Sequence, residues 1–188
     1  MDAAVSIFAK KGYRDTTLDE IAINSEFGKG TIYNYFKSKE EIYSAIIDDV
    51  SKSLYQIIQQ TDSETKSSID FFDMHAKLLF QYCVEKRDAF IIYVREIAHF
   101  TTDIFIADRK KINERHETVR SILIKKISKG IKLKEFKKYD AEKLATLYEH
   151  LIFPYLLFLI NIFEDKFDQD KEIDFIQSVF YNGIINKK

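Results

Sequence analysis

Residues 17–36 read TLDEIAINSEFGKGTIYNYF, two short helical patterns about a tight turn. The second pattern sets Lys29, Thr31, Tyr33 and Tyr35 on one polar side. From residue 27 to residue 39 there are three lysines, Lys29, Lys37 and Lys39, and no acid. Hydroxyls and ammonium groups with a local charge of +3 are donors for an anion. On a helix after a turn, they suit the phosphates and base edges of duplex DNA. The phosphate contacts are assigned to the Thr17 hydroxyl at a helix start, to Thr31 and Tyr33, and to Lys39 with the amides of its own helix start. Base-edge contacts fall to Lys29, which can donate to guanine, to Gly30, whose missing side chain permits close approach, to Asn34, and to Tyr35 against a thymine methyl. A plainer alternative has Tyr33 packing on the first helix and Lys37 merely solvated.

The elements that position these residues follow from spacing. Ala3, Ala4, Ile7 and Phe8 recur at helical intervals and Gly12 stops that helix. Thr17 and Glu20 form a capping box for the next, whose buried side is Leu18, Ile21 and Ala22. Residues 24–26 make the turn, Phe27 plugs the angle, and residues 28–36 form the third helix with Ile32 and Phe36 inward. A second box, Ser38 and Glu41, opens a long helix to about residue 60. The small core expected here is Phe8, Leu18, Ile21, Ala22, Phe27, Ile32 and Phe36. Residues 61–68 are polar and read as a loop. Five apolar periodic stretches follow, at about 69–86, 87–101, 104–129, 140–163 and 171–185. Gly130 is expected to end the third, residues 132–139 to link it to the fourth, and Pro154 to kink the fourth. One Pro and five Gly in 188 residues, with no alternating strand pattern, predict an all-α chain of about nine helices. Residues 1–47 are the helix-turn-helix domain and residues 48–188 the ligand-binding and dimerisation domain.

Bulk properties bound the rest. The net charge is −1, so composition alone does not argue for nucleic acid; the local distribution does. Cys83 is the single cysteine, which rules out an internal disulfide and fits a reducing, cytoplasmic setting. No leader pattern opens the chain. Residues 151–163 are the nearest thing to a membrane segment, but a span needs about 20 residues. They are read as a helix buried on nearly all sides, in the core or at a subunit interface, with no membrane partner.

Gly12-Tyr13, then TTLDEIA at 16–22, then GKGTIYNYFKSKEEI at 28–42 together resemble the N-terminal DNA-binding domain of the tetracycline-repressor (TetR) family. The resemblance implies a homodimeric transcriptional regulator of a double-stranded operator. Its last two helices would pair with a second copy in a four-helix bundle, and a small molecule in the C-terminal domain would lower DNA affinity. The sequence departs at Met1, which stands where the family has an apolar helix residue after a basic arm, and at Glu26, where the family usually has Gly. If that position needs positive φ, Glu costs about 1 kcal/mol there.

One head offers few phosphate contacts, so two heads about 34–36 Å apart are required, and residues 144–163 and 173–185 supply the apolar surface to join them. The effector is expected to be apolar or amphipathic and is otherwise unknown, its candidate wall being Phe72, His75, Phe90, Tyr93, Arg95, Tyr148 and Tyr155. The same aromatic spacing also describes plain core, and Arg95 with Glu96 equally describes an internal ion pair. The four histidines show no metal-ligand spacing and Cys83 stands alone, so no metal or cofactor is expected. There is no glycine-rich phosphate loop, no His-Glu-x-x-His and no Gly-x-Ser-x-Gly, so an enzyme is not expected. Two other readings remain at this point: an activator, or a helical protein binding a lipid-like or acyl ligand beside a vestigial DNA-binding domain.

Overall fold

The computed structural model describes residues 1–25, 29–98, 109–163 and 166–184. Among them are nine helices and no β-strand: α1 (Asp2–Lys11), α2 (Leu18–Asn24), α3 (Lys29–Tyr35), α4 (Lys39–Glu64), α5 (Ser68–Glu85), α6 (Arg87–Ala98), α7 (Arg109–Lys132), α8 (Ala141–Ile162) and α9 (Gln169–Ile184). The all-α class is as the sequence predicts. The chain divides into two compact units, one of residues 1–53 and 86–114, the other of residues 54–85 and 115–188. Both α4 and α7 contribute residues to each unit. Residues 86–114 thus group with the N-terminal helices.

In the first unit α1 ends at Gly12, whose φ of 81° lets its amide reach the Phe8 carbonyl. α1 packs on α2 and on α6. Phe8, Ile21 and Ala22 are buried as expected, but Leu18, Ile32 and Phe36 are only half-buried. The interior is instead completed by Ile42, Tyr43, Ile46 and Ile47 of α4 and by Phe90, Ile91, Ile92 and Tyr93 of α6. A seven-residue helix such as α2 or α3 has too little surface to build a core alone, and a longer helix fills the deficit. Phe27 and the turn residue Glu26 lie outside the described residues.

In the second unit α5 packs against α8 and α9. α5 buries Ser68, Phe71, Phe72, His75, Ala76, Leu79, Phe80 and Cys83, a wide stripe at helical spacing. Asp140 caps α8, accepting from the Lys143 amide at 3.0 Å.

Three expectations are corrected here. Residues 61–64 are helical rather than loop: α4 runs on to Glu64 because the Thr61 side chain is buried and its hydroxyl returns to the Ile57 carbonyl at 2.8 Å. Gly130 does not end α7, which continues to Lys132; the turn comes at Lys134, with φ 61°. Gly130 is needed for space, since a Cβ there would lie 2.5 Å from the Phe136 ring. Finally, α8 is not buried on nearly all sides. It is 22 residues long, and by length and composition it is apolar enough to cross a membrane, yet only a third of its apolar window is buried. Leu144, Ala145, Tyr148, Ile152, Leu156, Leu159 and Ile160 tie it into its own unit. Leu147, Phe158 and Ile162 are more than half exposed on its other side.

Candidate nucleic-acid interface and buried polar core

The turn that carries α2 is fastened from below. The Lys39 ammonium donates to the carbonyls of Tyr13 (2.9 Å), Arg14 (3.1 Å) and Thr16 (2.8 Å), and lies 4.5 Å from the Tyr13 ring centre. The Tyr13 hydroxyl donates to Glu40 at 2.5 Å. That hydrogen bond holds the Glu40 carboxyl below its usual range, while burial and the Glu40 carboxylate push the Tyr13 hydroxyl up. Thr16 is fully buried and its hydroxyl donates to the Gly12 carbonyl at 2.7 Å. The ring of Tyr13 packs on Tyr43, 4.9 Å between centres. Arg95 of α6 donates to the Ala9 carbonyl at 2.9 Å, satisfying the end of α1.

On this base the Thr17 hydroxyl caps α2, accepting from the Glu20 amide at 3.1 Å. The reciprocal half of the predicted box is not made; the Glu20 carboxylate pairs with Lys11. Gly30, Thr31, Tyr33, Asn34 and Tyr35 are all exposed on α3, and Tyr35 is 78% exposed. A Cβ on Gly30 would meet nothing within 4 Å, so the glycine leaves an open surface. The Tyr33 hydroxyl donates to Asp19 of α2, which fixes the ring beside the exposed face. The Lys29 side chain lies outside the described residues.

Lys39 therefore differs from its sequence assignment. Its ammonium is committed to three carbonyls of its own chain, so any phosphate contact at that point falls to the helix-start amides. Sequence inspection misses the clamp because its acceptors are backbone groups more than 20 residues away.

The seven candidate effector residues divide between the two units. Phe72, His75 and Tyr148 come together inside the second unit. His75 Nδ1 lies 2.8 Å from the Tyr148 hydroxyl, both groups buried. Phe71 stacks on His75 with ring centres 5.9 Å apart, and Phe72 meets Tyr148 edge-on at 4.8 Å. Burial lowers the His75 pKa to about 4 and raises that of the Tyr148 hydroxyl. Tyr181 donates to Asp73 at 2.5 Å along the same wall. The cavity between Phe72, Ala76, Tyr148 and Ile176 holds about 10 Å³, room for roughly one water. Tyr155 is elsewhere, donating to Glu172 beside Phe175, with its pKa raised to about 12 by burial and that carboxylate. Phe90, Tyr93 and Arg95 belong to the other unit. Arg95 does not pair with Glu96; the buried Glu96 faces Arg109 at 3.4 Å and accepts from Tyr43. No group of three metal-ligating side chains occurs among the described residues.

Residues 1–46 match the family model of the bacterial regulatory proteins, tetR family. The chain is also 30% identical over 165 residues, 81% of its own length and 80% of the relative's, to the uncharacterized HTH-type transcriptional regulator YhgD of Bacillus subtilis. The chain belongs to the TetR family. As a TetR-family transcriptional regulator it carries a DNA-binding helix-turn-helix, which the α2–α3 geometry realises. It is further similar, 31% over 96 residues and half of each chain, to IcaR of Staphylococcus aureus, a negative transcriptional regulator of the biofilm operon icaADBC. Its fold matches that of the regulator FadR of Bacillus subtilis, solved in complex with stearoyl-CoA, with a TM-score of 0.77 at 21% identity over 97% of this chain and 96% of that one.

Proposed function

We propose that this TetR-family regulator is a homodimeric repressor that leaves its operator when a small apolar or amphipathic effector occupies the second unit. The observation that carries the DNA half is α3: an acid-free helix with Gly30, Thr31, Tyr33, Asn34 and Tyr35 all facing solvent, above a turn fixed by Lys39. Phosphate contacts come from Thr17 and Thr31, while the Tyr33 hydroxyl is held by Asp19, and base contacts come from Lys29, Gly30, Asn34 and Tyr35.

Dimerisation is supported by the outer faces of α8 and α9. Leu147, Phe158 and Ile162 on α8 and Phe175 and Val179 on α9 are each at least 46% exposed. The half-exposed Leu151 and exposed Pro154 complete a 3–4 spacing along α8, the seam of a helical bundle. The effector reading draws on the aromatic surroundings of His75 and Tyr148 and on the ligand in the FadR complex. α4 is one helix from Lys39 to Glu64, so an effector that displaces it also displaces the clamp under α2. A coupling of about 3 kcal/mol lowers DNA affinity roughly 150-fold. The test is a footprint on the DNA upstream of the protein's own gene. Two protected half-sites, centred about 34–36 Å apart and lost on adding stearoyl-CoA, are expected. Absence of protection overturns the DNA half; protection that persists overturns the effector half.

A further inference from the structure

The second unit carries a charge concentration that neither DNA binding nor dimerisation uses. Residues 125–138 hold seven lysines and one acid, Glu135, in a chain of net charge −1. Lys125, Lys126, Lys129 and Lys132 share with Ser128 and Asp62 the walls of a cleft of about 460 Å³. Positions 125, 129 and 132 fall on one side of α7 because helical neighbours are three or four apart. Like charges at that spacing repel, so the row costs stability until an anion lies against it.

The lysines differ in their freedom. Lys126 has a side chain only 8% exposed, its ammonium 2.7 Å from Asp62 Oδ1 and 4.8 Å from the centre of the Phe71 ring. Lys129 donates to the Lys66 carbonyl at 2.6 Å. Lys125 and Lys132 are exposed and make no hydrogen bond or ion pair with another described residue. Phe71, under Lys126, stacks on His75. One ring thus separates the floor of the cleft from the His75–Tyr148 pair.

We propose that this cleft binds the phosphate groups of the effector's polar head, which makes the effector a phosphate-bearing amphiphile. The assignment rests on the apolar-effector reading above. Lys125 and Lys132 line this cleft with their ammonium groups uncommitted among the described residues, beside the part-buried Lys126–Asp62 pair, and offer the charge-assisted donors that phosphate takes. The concavity, of small-molecule size, favours such a head over an extended polyanion.

Calorimetry on the intact protein and on the Lys125→Ala/Lys132→Ala variant tests this with stearoyl-CoA, free coenzyme A, pyrophosphate and stearate. Both lysines are exposed, so the variant should melt with the wild type. We expect it to bind stearoyl-CoA and coenzyme A at least about tenfold more weakly, the loss of one good charged contact or more, with stearate unaffected. Pyrophosphate binding as tightly as coenzyme A identifies free phosphate as the sufficient chemistry; much weaker binding identifies the nucleotide head. Both uphold the cleft. Lysine-dependent coenzyme A binding with no stearoyl-CoA preference upholds the cleft and overturns the apolar-effector reading. Equal affinities in the two proteins, or no binding of coenzyme A and pyrophosphate to the wild type, overturn the cleft. Lysine-dependent retention of a nonspecific duplex or of anionic phosphatidylserine vesicles, without coenzyme A binding, also overturns it.

Discussion

In the first unit, polar groups form two layers with separate tasks. Lys39, Tyr13 and Glu40 sit beneath the turn and satisfy one another or the backbone, while Thr31, Asn34 and Tyr35 stand in solvent above it. In the second unit, His75 and Tyr148 are enclosed by Phe71, Phe72 and Phe180 and, among the described residues, hydrogen-bond only to each other. A surface that reads DNA keeps its recognition groups outside and fixes them from below, so removing one leaves the fold intact. A buried polar pair has no such separation: stability and any ligand response share the same atoms. Substitutions should therefore divide cleanly into stability and binding effects in the first unit and mix them in the second.

The largest expected effect is the pH dependence of the buried pair. His75 takes a proton in the folded chain only near pH 4, whereas an unfolded histidine does so near 6.5. The unfolded state therefore binds more protons between these values, and stability falls as pH drops through that window. The loss approaches roughly 3 kcal/mol as an upper figure. Above about pH 6.5 the contribution is fully present. Urea melts at pH 7.5, 6 and 5 should show the decline in the wild type and a smaller one in His75→Gln. His116, also held low by burial, and Glu149, held high by burial, are common to both proteins and cancel in the difference. Parallel pH profiles would place His75 in contact with solvent and remove the contrast between the units.

Lys39→Ala comes next. It strips three carbonyls of their donor and the Tyr13 ring of its cation, which should cost about 2 kcal/mol. DNA affinity should fall with the fold, and the salt dependence of what binding remains should stay as in the wild type, because no phosphate contact is lost. A flatter salt slope with an unchanged melting curve would instead put this ammonium on the DNA and contradict the clamp.

These two residues also show what the sequence made legible. The TTLDEIA and GKGTIYNYF segments were readable because surface recognition and helix capping need particular residue types at particular offsets. Thr17, Gly30 and Tyr35 lie where their spacing puts them. The interior was not readable in the same way. Phe90 and Tyr93 obey the same helical period as Phe72, yet they fall in different units, since periodicity records that a face is buried and not against what. Tyr181 and Asp73 are 108 residues apart, so no local pattern announces their bond. Gly130 looked like a helix stop because a glycine needed for its backbone and one needed for its missing side chain are the same letter.

Gly130→Ala sharpens that last distinction. The added methyl would stand 2.5 Å from the Phe136 ring, and Phe136 is itself buried against Phe72. Overpacking of this kind costs about 2 kcal/mol, offset by roughly 1 kcal/mol of better helix propensity. A net loss near 1 kcal/mol by urea melting is expected. A stabilised variant would show that Phe136 yields easily and that the second unit is loosely packed there.

The smallest effect on the fold should come from Tyr35→Ala, and for that reason it separates the two kinds of polar residue most sharply. The side chain is 78% exposed, so stability should stay within about 0.5 kcal/mol of wild type. If the ring packs on a thymine methyl, operator affinity should nonetheless fall by about tenfold, within the 1–3 kcal/mol range of a direct base contact. The loss should concentrate at one base pair per half-site. Binding to a nonspecific duplex should barely change, because the ring carries no charge to release counterions. Fluorescence titration against operator variants, run beside a urea melt of the same preparation, reads both quantities. A destabilisation above about 1 kcal/mol would move Tyr35 into the supporting layer with Lys39, and the division between an outer reading surface and an inner clamp would fail.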